Sequence, residues 1–210
     1  MSKAVLSVCI AVTVATGPAA AQFAPPDPEP PVIIPAPPEP LQAPDEPDFE
    51  DRAASLDALF AALATAGEHE WEPLQQQIMA VLARSDSPTM TFLLSRGTKA
   101  MRERDYDTAL LFLDDLVRLA PDFAEGWNRR ATVHFLMENY AQSVADIQRT
   151  LVLEPRHFGA MAGLGIILDR LEQDAEAYRV FQRALEIHPN LEGAKEAVSR
   201  LEPDVRGRDL

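Results

Sequence analysis

One cysteine, Cys9, is all the thiol chemistry this 210-residue chain possesses. A single thiol forms no internal disulfide and no zinc cluster. Cys9 also lies in a segment expected to be removed, so no cysteine nucleophile is left for the mature chain. Histidine is sparse too. His69, His134, His157 and His188 show no metal-ligand spacing, and none is followed by the helical glutamate and second histidine of a zinc protease. Glu68-His69-Glu70 reads as a charged turn, and Asp114-Asp115 and the run from Glu172 to Glu176 as solvated helix faces. Glycine, with 9 residues, builds neither a phosphate-cradling loop nor a nucleophile elbow. Positive charge is also lacking. The formal net charge is −14 and the basic residues are interspersed with acids, which disfavours nucleic acid and anionic membrane surfaces as partners. These absences point away from an enzyme and imply no cofactor and no metal.

The N-terminal quarter supplies an address and a spacer. Lys3 precedes an apolar run from Ala4 to Ala15, which is too short to span a bilayer comfortably. Gly17 and Pro18 break the run, and Ala19-Ala20-Ala21 offers the small residues a signal peptidase needs. Residues 1–21 are therefore expected to be a signal peptide cleaved after Ala21. That predicts a periplasmic location and no membrane span after cleavage. Residues 22–52 hold eleven of the 18 prolines and about half of the net negative charge. Proline removes backbone donors and fixes an extended conformation, so the stretch is expected to be an acidic, disordered or polyproline-like linker. Pro30-Pro31-Val32-Ile33-Ile34-Pro35 within it suits an aromatic docking groove, although a plain spacer accounts for it as well.

The rest of the chain is periodic. Pro121, Pro155 and Pro189 fall 34 residues apart, and other columns keep the same interval. Gly97, Ala131 and Gly165 form a small-residue column, and Ala109, Ser143 and Ala177 a second. Leu93, Trp127 and Met161 share a column of large apolar residues, as do Leu113, Ile147 and Phe181. A period of this size signals a stack of two-helix units. Within each unit, turns are expected at Arg104-Asp105, Glu138-Asn139 and Glu172-Gln173. Each second helix should stop before its proline, because the residue preceding proline disfavours helix. The units fall at 90–123, 124–157 and 158–191. Residues 53–89, with Leu56, Leu59, Phe60 and Leu63 and then Leu74, Ile78, Val81 and Leu82 at helical spacing, predict a degenerate helical hairpin, a divergent first unit capping one end of the stack. Residues 192–210 predict a capping helix and a frayed tail. Leu191, Ala194, Val198 and Leu201 line the helix's apolar face, and Glu192, Lys195, Glu196 and Arg200 the other.

These columns resemble the tetratricopeptide repeat (TPR), most closely in the third unit: Leu164-Gly165, Ala177, Phe181, Ala184 and Pro189. The resemblance implies an all-α fold, a right-handed α-solenoid of antiparallel helix pairs with a C-terminal capping helix. It also implies a concave groove, lined by the first helix of each unit, that holds a protein or peptide partner. The groove residues it implies are Leu94, Thr98 and Met101 in the first unit, Asn128, Thr132 and Phe135 in the second, and Ala162, Ile166 and Asp169 in the third, with Arg102 and Arg129 beside them. The family's chaperone-binding members hold a peptide carboxylate with a lysine and asparagine clamp. The matching positions here include Leu94, Thr98, Gly159 and Gly163, so that clamp is absent and an apolar or mixed peptide fits better than an acidic tail. Arg96 and Arg130 stand where leucine is usual, and Arg130 is placed to reach Asp146. The function expected is a non-enzymatic interaction module of the bacterial periplasm that binds an envelope protein of unknown identity. A self-associating structural repeat and a helical-solenoid enzyme are the alternatives.

Overall fold

The computed structural model describes residues 49–208. The expected signal peptide and nearly all of the expected proline-rich linker lie outside them. The described residues form nine helices and no strand: α1 Phe49–Thr65, α2 Trp71–Leu82, α3 Pro88–Arg102, α4 Tyr106–Leu119, α5 Ala124–Leu136, α6 Tyr140–Leu153, α7 Phe158–Arg170, α8 Asp174–Ile187 and α9 Glu192–Arg208. Helices α3 to α8 make three antiparallel pairs. Within each pair the small-residue column sets the approach. A Cβ added to Gly97 would lie 2.7 Å from Leu113 Cγ, and one on Gly165 would lie 2.6 Å from Phe181 Cε1. In the middle pair Ala131 tolerates its Cβ because Ser143 faces it, and the Ser143 hydroxyl donates to the Ala131 carbonyl at 2.8 Å.

The turns inside the pairs repeat as faithfully as the helices. Arg104, Glu138 and Glu172 have φ of 62°, 61° and 58°. In each turn the following N–H reaches back to the carbonyl of the last helical turn: Asp105 to Ala100 at 3.0 Å, Asn139 to His134 at 2.8 Å and Gln173 to Leu168 at 2.9 Å. This geometry satisfies carbonyls that the helix end leaves open, and it normally uses glycine because a Cβ is strained at positive φ. Three charged residues accept that strain here.

The N-terminal hairpin departs from the sequence expectation. Helices α1 and α2 do not extend the stack. They lie along the edge formed by the proline turns. Arg52 shares a cleft with Leu119 and Phe123 at the first turn. Asp57 pairs with Arg156 at 2.6 Å at the second, and the Ala66 carbonyl accepts from Asn190 at 2.9 Å at the third. Arg52 to Ala66 spans about 21 Å of helix, close to two spacings of packed helices. The apolar stripe Leu56, Phe60 and Leu63 is buried against Phe158, and Ile78 of α2 joins the same cluster. Phe60 meets Phe158 edge-on at 6.5 Å, and Trp71 lies 5.3 Å from the His188 ring. The physical reason is phase. The hairpin has an apolar stripe and many alanines, but they are out of phase with the repeat: Leu63 and Gln75 stand 34 residues before Gly97 and Ala109, where a close crossing needs small residues.

The first pair consequently has no predecessor. Phe92 stays exposed on the column that buries Gly126 and Ala160 further along, and Lys99 on the column of Val133 and Ile167. Phe92 packs edge-on against Phe112 at 6.3 Å, and Arg96 covers Phe112 at 5.5 Å, which partly closes this end. At the other end α9 covers α8 through Ala194, Ala197 and Leu201 against Ala177 and Phe181. The expected frayed tail is instead helical to Arg208, and the helix runs through the exposed Pro203.

Candidate functional site

Helices α3, α5 and α7 sit side by side and form the concave face. Between α5 and α7 this face opens into a cavity of about 150 Å³ lined by Asn128, Ala131, Thr132, Phe135, Ser143, Ile147, Ala160, Gly163, Ile166 and Ile167. Four of the nine residues read from the sequence, Asn128, Thr132, Phe135 and Ile166, meet here. The other five do not. Leu94 is buried in the core with Leu93, Leu113 and Leu116, and Met101 packs against that core. Thr98 and Ala162 are half-buried and do not line the cavity. Asp169 is held by Arg200 of α9 through two bonds of 3.1 and 2.7 Å.

The polar groups around the cavity are tightly held. Glu125, in the first turn of α5, has no solvent exposure. Its Oε2 accepts from Asn128 at 2.9 Å and meets His157 Nε2 at 3.1 Å. Its Oε1 lies 2.5 Å from Arg129 Nε, an ion pair whose N–H is not aimed along a hydrogen-bond direction. His157 Nδ1 accepts the Ala160 N–H at 3.1 Å and so caps α7. That nitrogen therefore carries no proton, and Nε2 donates to Glu125. Burial alone would raise the Glu125 carboxyl pKa. The hydrogen bond from His157, the Arg129 guanidinium and the Asn128 amide together bring it below the usual carboxylate range. A carboxylate–imidazole pair of this kind could serve proton transfer, but neither member is exposed to solvent, so its visible work is to join the starts of α5 and α7.

A second set of charges braces the outer layer. Arg130 donates to both oxygens of Asp146, at 2.8 and 2.7 Å, and to Asp114 at 2.9 Å, which ties α5 to α6 and to α4. The bond to Asp146 is the one the sequence anticipated. Burial pushes the pKa of His134 down, against the pull of Asp146 4.0 Å away. Burial and then Lys195 push His188 down as well, while its Nε2 bonds Gln75 at 2.8 Å. Sequence reasoning missed the Glu125–His157 pair. The only hint was His157 standing in a column that otherwise holds Phe123 and Leu191. Among the described residues no group of histidines, cysteines and carboxylates is arranged to hold a metal ion, and no helix is long and apolar enough to cross a membrane.

No family model matches this chain. A TPR repeat-containing protein of Rhizobium etli is 38% identical over 157 residues, covering 72% of this chain and 75% of that protein. Among solved structures, the first TPR of Spaghetti (RPAP3), bound to the HSP90 peptide SRMEEVD, superposes with a TM-score of 0.55 at 21% identity, covering 58% of this chain and 96% of that one. MamA superposes with a TM-score of 0.53 at 17% identity, covering 76% and 87%. At these identities the solved structures speak for the fold.

Proposed function

The chain belongs to the tetratricopeptide repeat proteins, and from that premise we propose that it is a non-enzymatic binding module whose concave face holds a segment of a partner protein. Tetratricopeptide repeats in general mediate protein–protein interaction. The observation that carries the reading is the apolar cavity between α5 and α7, open on the face where an array of first helices offers side chains to a ligand. The reading extends to location. Residues 1–21 have the charged start, short apolar run and alanine cleavage site of an exported chain, so the partner is proposed to be an envelope protein of the bacterial periplasm. The acidic linker then acts as a spacer.

Site-specific photocrosslinking in producing cells tests this. A photoreactive residue at Thr132, on the concave face, is expected to give a discrete adduct with one protein. The same residue at Leu111, on the outer face and 64% exposed, is expected to give none. Equal adducts from both positions would contradict the groove. N-terminal sequencing of the mature chain should begin at Gln22, and a chain that keeps Met1 would contradict export.

A further inference from the structure

Three glycines on the first helices of the units do different work. Gly97 and Gly165 are demanded by the fold, because a Cβ on either would fall within 3 Å of a buried side chain. Gly163, in the middle of α7, is not. A Cβ there would meet only Ile147 Cδ1, at 3.7 Å, which is ordinary contact. A mid-helix glycine weakens a helix relative to alanine, and nothing inside the molecule gains from this one. Its missing side chain leaves part of the 150 Å³ cavity open, since Gly163 is one of the residues that line it.

The lining says what belongs there. Phe135, Ile147, Ile166 and Ile167 give apolar walls, and no charged side chain borders the space. The Ser143 hydroxyl is spent on the Ala131 carbonyl and the Thr132 hydroxyl on the Asn128 carbonyl. Glu125, the carboxylate bonded to the lining residue Asn128, is already matched by Arg129 and His157, and the Arg170 guanidinium is stacked on Phe135 and bonded to the Tyr140 hydroxyl, so a charged group would lose its water without gaining a free opposite charge from the lining. Apolar cavities of about this volume admit a benzene-sized group. Asn128 is oriented by its donation to Glu125, which leaves its carbonyl oxygen to accept from a ligand.

We propose that the groove recognises its partner through one bulky, uncharged apolar side chain, leucine- to phenylalanine-sized, seated over Gly163 between α5 and α7, with Asn128 accepting a main-chain N–H beside it. This rests on the groove reading above and names the ligand that the groove selects.

The probe is a phage-displayed library of random 12-residue peptides selected on the full chain. The expected binders share one leucine, isoleucine, methionine or phenylalanine. Replacing that residue by alanine lowers affinity roughly ten- to hundredfold, as loss of a buried apolar side chain does. Gly163→Leu, which fills the cavity, gives a similar loss without lowering the melting temperature. Gly163→Ala, a milder change that keeps the fold, gives a loss of a few-fold. Peptides that crosslink at Thr132 yet ignore both Gly163 variants, or that depend on a charged anchor, would overturn the anchor and leave the groove standing. A selection that yields no binder sensitive to Thr132→Arg would overturn both.

Discussion

Adding one methyl group to α7 at two neighbouring glycines should move stability in opposite directions. At Gly165 the new Cβ would sit 2.6, 2.7 and 2.9 Å from three ring atoms of Phe181. Relaxed carbon–carbon contacts need about 3.5–4.0 Å, so the ring must retreat by roughly 1 Å. It has little room, being 2% exposed and packed in one cluster with Ala177, Ala194 and Leu201. Overpacking of this kind costs about 1–3 kcal/mol, and the better helix propensity of alanine returns up to ~1 kcal/mol. The net for Gly165→Ala is a loss of about 1–2 kcal/mol, or roughly 2–8 °C in melting temperature for a domain of this size. Gly165→Val should cost more. At Gly163 only the propensity gain applies, so Gly163→Ala should raise the melting temperature by about 1–4 °C. Thermal unfolding followed by circular dichroism at 222 nm reads both. A Gly165→Ala chain as stable as the native one would refute the close crossing of α7 and α8.

Four further outcomes follow from the same geometry. Phe60→Ala and Phe158→Ala should each cost about 3–5 kcal/mol and be strongly non-additive together; additive losses in denaturant unfolding would show that α1 does not pack on the proline-turn edge. Glu125→Ala should destabilise by about 2–4 kcal/mol, since it leaves the buried His157 N–H and the Arg129 charge without their partner; a loss below about 0.5 kcal/mol would contradict the buried network. Glu138→Gly and Glu172→Gly, by relieving positive φ, should each stabilise by about 0.5–1 kcal/mol, and a loss at either turn would count against the strained geometry. Stability should fall with acidity in two stages. His134 and His188 have folded pKa values below their unfolded value, so the unfolded chain binds more protons and stability declines as pH drops below about 6.5. The Glu125 value is also depressed, so its contribution is intact above about 4.3 and is lost as pH falls through the folded value. A chain as stable at pH 5 as at pH 7.5 would contradict the depressed imidazoles of half-buried His134 and buried His188.

How much of this the chain disclosed in advance depended on whether a residue repeats. Gly97, Ala131 and Gly165 recur at 34 residues, so a shared packing demand shows as a column, and the close crossings follow from it. The turns at Arg104, Glu138 and Glu172 were placed for the same reason. The bond from Arg130 to Asp146 was legible because two opposite charges stood at facing positions of one pair. The hairpin was misplaced because its stripe of Leu56, Phe60 and Leu63 says that one face is buried, but not against what. Its target, Phe158 and the turns beside it, is distant in sequence and carries no period. Of the groove, Asn128, Thr132, Phe135 and Ile166 were found because the concave face is set by the repeat. Leu94 was counted with them although the rotation of α3 turns it into the core. Gly163 was noticed for the clamp it lacks, while the space it leaves depends on where Ile147 of another helix ends, which no single column records.

The central claim is that the concave face, and no other, holds the partner. Its most direct test is the affinity of the crosslinked partner for two single-site variants, measured by calorimetry. Ile166→Arg places a charge at a groove position 42% exposed in the free chain, and Leu111→Arg places one on the outer face. The concave reading predicts at least a tenfold loss for Ile166→Arg, native affinity for Leu111→Arg and native melting temperatures for both. Native affinity in the Ile166→Arg chain would contradict it.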